Sequence, residues 1–402
     1  MQRHCRDSQH ATGAADHRDV GRREHWKHKP VRSNRPAPAE PNAFGMKTAL
    51  PLLLLTMTTT GCMLPLRVAQ TLMPPPRPEP DNTPYPKTVL RGIVPDQRID
   101  WIGNDTVVLA GHPINTRTQS WLYSWDLKST PKQLLKGVRN FCINGNAVML
   151  SIRDQNEGYV KDYRVPFPRK AVEYLGRRKI TSSPSYASRY TCDNHPIPTA
   201  LHMHHWEELR PGEGYLDFGG DDIQRNYKVT YLDANLQRRK DTGIRVDLPI
   251  LSEITDWRPE PGYLLYDMNI SPEARKHWQQ TNRLTLWHLD AQHQGHAVNV
   301  PAGPWVNPNG GDTQFFKARD GLVITTSVLN RNGSPGNAGA YLVQPDGSYE
   351  RLETGYVSEP TLSPDGCKLA YAFQEHLDQR SLPHQGGRIL VAVNLCAKRK
   401  QH

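Results

Sequence analysis

The chain has 402 residues, 37% hydrophobic and 22% charged, which suits one large domain with tails. Its formal net charge of +10 is inflated by the N-terminal end. Residues 62–402 hold 40 Lys+Arg and 35 Asp+Glu, and that net +5 does not mark a nucleic-acid binder, which needs a clustered basic face.

Residues 1–45 are rich in Arg, His, Asp and Asn and poor in aliphatics, so they cannot bury enough apolar surface to fold. They read as a disordered upstream extension. Met46 then opens a segment with one positive residue, Lys47, a short apolar core and small residues up to Cys62. This reads as a signal peptide over 46–61, too short for an ordinary transmembrane span. It resembles a bacterial lipoprotein signal at Thr60, Gly61 and Cys62 and departs from it at Thr59, where an aliphatic residue is usual. The resemblance implies a lipid such as palmitate on Cys62. Met63, in place of Asp, favours the outer membrane. Residues 62–84, with the run Met73–Pro80, read as a semi-rigid Pro-rich tether.

The remainder, 85–397, is repetitive, with a basic tail over 398–402. Six times a Gly- or Asn-containing turn leads into an apolar strand: Trp101–Leu109, Cys142–Leu150, Arg210–Leu216, Arg258–Leu264, Ala318–Ile324 and Ser363–Tyr371. The first apolar positions, Val107, Val148, Tyr215, Tyr263, Leu322 and Leu369, recur at spacings around the roughly 40–50 residues of a four-stranded blade. The long step from Val148 to Tyr215 implies an insertion within Gly176–Ala200. A third strand follows in each unit: Trp121–Leu127, Tyr159–Tyr163, Lys228–Leu232, Arg283–Leu289, Ala340–Val343 and Arg388–Val393. Five units show a fourth strand ending near Gly137, Gly176, Gly243, Gly303 and Gly355.

The sixth unit runs out of chain, but Tyr85–Gly92 parallels Thr130–Gly137. The expectation is an all-β, six-bladed β-propeller whose last blade is completed by the N-terminal strand Thr88–Arg91, which removes an open edge. Five or seven blades are the alternatives.

Four cysteines fall in this region, an even number that favours disulfides in an exported domain: Cys367–Cys396 first, then Cys142–Cys192. The loops between second and third strands are the longer ones: His112–Gln119, Asp221–Asn226, Asn269–Asn282, Asn330–Gly339 and Gln374–Gly387. They carry Arg117, Arg225, Arg275, His277, Trp278, Arg331 and Arg380, a mixture that could grip an anionic glycan, a lipid headgroup or a protein.

His202 and His204 would share one face of a strand, on or just before the innermost strand of the third blade. They could begin a site for Zn, Mn or Fe, though no third ligand follows from the spacing. Asp221 and Asp222 are adjacent, so in a strand they point apart and make a poor acid/base pair. No Gly-x-Ser-x-Gly elbow, Walker loop or dinucleotide fingerprint occurs, and no catalytic residue or cofactor is assigned.

The segment Glu359–Phe373 resembles the WD-like repeat of the periplasmic propeller of the Tol-Pal system, at Ser363, Pro364, Asp365, Gly366, Leu369 and Ala370. The other five copies keep only the turn and the apolar strand. The resemblance implies a propeller that binds a protein or small ligand, and it places no partner-binding residue. The expected function is therefore a monomeric, lipid-anchored cell-envelope propeller that binds an envelope protein or glycan without catalysis. The alternative is a propeller-type glycan lyase or hydrolase, metal-dependent through His202 and His204.

Overall fold

The computed structural model describes residues 83–397 except 115, 117–118, 155–157, 180–204, 220–226, 247–251, 268–269, 307–312, 327–336 and 375–387. The expected signal, tether, Cys62 and basic tail, along with the Gly176–Ala200 insertion from residue 180 onward, lie outside the described residues. After β1 (Lys87–Leu90) come six four-stranded antiparallel sheets.

The first blade is β2 (Ile93–Trp101), β3 (Val107–Pro113), β4 (Trp121–Trp125) and β5 (Lys132–Lys136). The second is β6 (Cys142–Asn144), β7 (Ala147–Arg153), β8 (Tyr159–Pro166) and β9 (Glu173–Lys179). The third is β10 (His205–Glu208), β11 (Tyr215–Gly219), β12 (Tyr227–Leu232) and β13 (Arg239–Val246). The fourth is β14 (Ser252–Asp256), β15 (Gly262–Asp267), β16 (Leu284–Asp290) and β17 (Gly295–Val300). The fifth is β18 (Thr313–Lys317), β19 (Leu322–Thr326), β20 (Gly339–Val343) and β21 (Tyr349–Thr354). The sixth is β22 (Tyr356–Leu362), β23 (Lys368–Gln374) and β24 (Arg388–Asn394), and β1 supplies its outer strand. The protein is a six-bladed β-propeller.

Burial explains why the second strands read as continuous apolar runs. Each is covered on both faces by neighbouring blades, so polar alternation is lost. Val107, Val108, Leu109 and Ala110 are all fully buried, whereas the outer strand β5 is largely exposed. The blades meet through apolar seams. One joins Leu109 and Tyr123 to Ala370 and Leu390, and another joins Val108 and Leu122 to Val148 and Leu150. Others join Leu216 and Phe218 to Ile254 and Leu265, Leu264 and Tyr266 to Phe315 and Tyr341, and Val323 and Leu342 to Leu369 and Tyr371.

The Ser363–Gly366 turn shows why its motif has those residues. Ser363 Oγ donates to Asp365 Oδ1 at 2.5 Å, and Asp365 Oδ1 also accepts from Cys367 N at 3.0 Å. The Lys368 amide donates to Ser363 Oγ at 2.8 Å, and Gly366 takes φ +68, where a side chain would be strained.

The ring closes at β1, where Lys87, Thr88, Val89 and Leu90 pair with Val393, Ala392, Val391 and Leu390. The pairing begins one residue before the span read from the sequence. Cys367 and Cys396 form a disulfide beside this closure. Cys142 is half of another, and Cys192, its expected partner, lies outside the described residues. Cys367→Ser should lower stability by about 3–4 kcal/mol, the loop-closure value for a bridge spanning some thirty residues, read as a shift in the urea midpoint. An unchanged midpoint would show that strand pairing alone fixes the last blade.

Candidate functional site

The sequence-predicted face is the side of the ring where second and third strands are joined. Of its expected binding residues, Arg117, Arg225, Arg331 and Arg380 lie outside the described residues, as do His202, His204 and Asp221. His202 and His204 precede β10, which begins at His205.

The described part of this face includes a helix, α1 (Pro272–Thr281), in the connection between β15 and β16. Ser271 caps it, its side chain accepting from Ala274 N at 3.1 Å, and Pro272 occupies the first turn. The helix corrects the placement of two expected binding residues. Arg275 is 6% exposed and Trp278 1% exposed, because positions three apart share the buried face. The Trp278 indole donates to Val300 O at 3.0 Å and packs in the seam with Phe315, so its role is to seat the helix. His277 is exposed, beside exposed Lys276.

A polar group that sequence reasoning missed lies where the sixth blade meets the first. The inner strand β2 breaks register between Pro95 and Ile99, a bulge that re-aims Asp96. Asp96 Oδ1 lies 2.7 Å from His112 Nδ1, and Arg388 Nη1 donates to the Asp96 carbonyl at 3.3 Å. Arg388 Nε is buried without a hydrogen-bond partner among the described residues. The inner strand β22 breaks register between Ser358 and Thr361, and Glu359 takes φ +52. Two bulged inner strands thus meet beside an acid, an imidazole and a guanidinium, groups suited to binding a polar ligand. No local sequence signal joins them, since Asp96 and Arg388 stand near opposite ends of the propeller sequence, 292 residues apart. Among the described residues no group of three His, Cys, Asp or Glu is placed to hold a metal ion.

The opposite ends of the blades hold interblade latches. Arg210 of the third blade bonds Asp256 Oδ1 of the fourth at 2.7 Å, and Arg258, within the fourth blade, holds the same carboxylate through Oδ2 at 2.5 Å. Lys368 bonds Asp105 at 2.9 Å, which, through that hydrogen bond first, holds the Asp105 carboxyl below its ordinary range.

Two imidazoles on the fourth blade are stacked on aromatic rings: His288 on Trp257 at 3.7 Å and His293 on Tyr231 at 3.5 Å. Burial pushes both below the ordinary value of 6.5, helped at His288 by His296 and at His293 by Lys240. The unfolded chain therefore binds more protons than the folded one just below pH 6.5. Their contribution is complete above that pH and is lost as pH falls through the lower folded values. The urea midpoint should drop between pH 7 and pH 5, and His288→Gln with His293→Asn should flatten that drop. An equally steep profile in the double variant would assign the pH dependence elsewhere.

No protein-family model matches the chain, and no curated protein matches it in sequence. Solved structures similar to it include the β-propeller domain of the trilobed protease from Pyrococcus furiosus. That domain is 7% identical, with 70% of this chain and 91% of that one covered, at a TM-score of 0.33. Oligogalacturonate lyase in complex with manganese is 8% identical over 78% of this chain and 96% of that one, at 0.37. A chain of the mitotic checkpoint complex is 13% identical over 78% and 95%, at 0.39. Likeness at these identities concerns the fold alone.

Proposed function

We propose that this chain is a lipid-anchored propeller of the bacterial cell envelope that binds an envelope protein or glycan without catalysing a reaction on it. The observation that carries the reading is the meeting of bulged inner strands at Asp96, His112 and Arg388, on the side of the ring that also bears α1. A rigid ring with polar groups held by long-range contacts offers a preformed surface, and its connecting loops can vary without disturbing the blades. The lipoprotein-like segment ending at Cys62 supports the anchoring half of the reading. The Ser363–Gly366 motif, which resembles that of the Tol-Pal propeller, supports the binding half.

Cys62→Ser should abolish palmitate labelling and move the protein from the membrane to the soluble periplasmic fraction. A wild type that takes no label would refute the anchor. In crosslinking from envelope extracts, Arg388→Ala and His112→Ala should each deplete the same product. Unchanged products from both variants would move the binding surface away from this seam.

A further inference from the structure

We propose that the β8–β9 hairpin of the second blade is a docking surface for an anionic phospholipid bilayer. This goes beyond the lipid-anchor reading and does not depend on it. Three observations meet in one place.

The first is charge. Residues 159–179 carry seven Lys+Arg and two Asp+Glu, a net +5. Residues 62–402 as a whole also carry net +5, so everything outside this hairpin balances to zero. Four of the seven are ion-paired, Lys161 and Arg177 to Asp154, Arg164 to Glu173 and Arg178 to Asp162, which leaves Arg169, Lys170 and Lys179 as the hairpin cations without a carboxylate partner among the described residues.

The second is apolar exposure. Seven large hydrophobic side chains are exposed among the described residues, and four belong to this hairpin: Tyr174 at 57%, Leu175 at 51%, Val172 at 40% and Tyr159 at 36%. Val172, Tyr174 and Leu175 follow directly on Arg169 and Lys170 at the hairpin turn. Among the described residues neither of these two cations has a carboxylate partner, and the Lys170 ammonium lies over the Phe167 ring at 5.6 Å. Aliphatic and tyrosyl side chains flanked by Lys and Arg suit the boundary between headgroups and acyl chains, where apolar parts enter and cations remain among phosphates.

The third is the geometry of the edge. An outer strand could instead accept a further strand from a polypeptide. Here Tyr163 pairs with Tyr174 and Asp162 with Gly176, which leaves Leu175 as a bulged, unpaired residue. The bulge interrupts the ladder that an added strand would need and turns Leu175 outward. Nucleic acid would use the cations but not Val172 and Leu175. The bilayer is the partner that uses both.

The test uses residues 62–402 with Cys62→Ser, which contain every strand of the closed ring and carry no lipid. Failure here therefore leaves the anchoring proposal untouched. Co-sedimentation is measured with phosphatidylglycerol–phosphatidylethanolamine vesicles and with phosphatidylcholine vesicles. The expected result is binding to the first only, weakened by salt. Arg169→Glu with Lys170→Glu should reduce it by about tenfold or more, since each basic residue near such a surface contributes roughly a fivefold preference. Val172→Ser with Leu175→Ser should also reduce it, whereas Lys132→Glu with Lys136→Glu on exposed β5 should not. Thermal unfolding of each variant checks that the ring is intact. Equal binding to both vesicle types, or undiminished binding by the hairpin variants, overturns the proposal. So does binding of a Glu-rich peptide or duplex DNA to the hairpin by a protein that ignores vesicles.

Discussion

Deleting residues 1–92 should lower the urea midpoint sharply and promote aggregation, while deleting residues 1–82 should leave the midpoint nearly unchanged. The difference between the two is the strap. Its four-residue strand is short, but it touches three blades. Lys87–Leu90 pairs along β24 of the sixth blade, Leu90 packs with Ile99 and Trp101 of the first, and Lys87 Nζ bonds Glu353 Oε2 of the fifth at 3.1 Å. Tyr85, just upstream, is buried with Phe316 and Leu342 of the fifth blade and Leu369 and Tyr371 of the sixth. Loss of a buried aromatic of this size alone costs about 3–5 kcal/mol. Removing the strand also leaves the β24 backbone unpaired as an open edge. Size-exclusion chromatography and urea unfolding of the two truncations would decide the matter, and equal midpoints would show that β1 adds nothing to the ring.

The second large effect is expected from one added methyl group. Gly339 opens β20 with φ +150, and a Cβ there would lie 2.0 Å from the Glu353 carbonyl oxygen. Neither atom is at the end of a flexible side chain, so the β20–β21 ladder must move. The cost of Gly339→Ala should be at least about 3 kcal/mol, the upper end of the range for a strained backbone position. The damage spreads to the strap, because the Glu353 carboxylate accepts from both Lys87 Nζ and the Tyr371 hydroxyl at 2.7 Å. In a double-deletion comparison, Gly339→Ala and removal of residues 83–92 should therefore be less than additive. Full additivity, or a variant as stable as the wild type, would mean that the ladder relaxes locally without reaching Glu353.

Much of this architecture was legible because a blade's second strand is sandwiched. Val107–Ala110 and Leu369–Ala372 had to be apolar at every position, and the turns before them had to contain Gly or Asn, so the repeat survives in composition even where identity is lost. The strap was legible differently, as a copy of the β5 segment at the other end of the chain, Tyr85–Gly92 against Thr130–Gly137. The helix was not, although Ser271, Pro272 and Glu273 form a serviceable start signal. A ten-residue helix between strands has too little periodicity to stand out from a polar loop. By sequence alone Arg275 and Trp278 fall in a loop open to a ligand, because their burial depends on the helix, which Trp278 seats against Phe315 and Val300. The Asp96, His112 and Arg388 group was invisible for a different reason. Its members are brought together by closure of the ring, and no spacing along the chain encodes that.

The pairing of β1 with β24 also bears on when the molecule can finish folding. The strap strand emerges before any blade, and its partner is the last strand of all. Five blades can assemble from neighbouring hairpins as the chain appears, at the modest cost of closing short loops. The sixth must wait for a contact between the two ends of the propeller sequence, the slowest kind to form. Until then the Lys87–Leu90 segment has no partner, and the flanks of the first and fifth blades stand uncovered. A chain whose final step is the meeting of its ends becomes competent late and all at once. Its vulnerable interval is the wait between completion of the fifth blade and arrival of Arg388–Asn394.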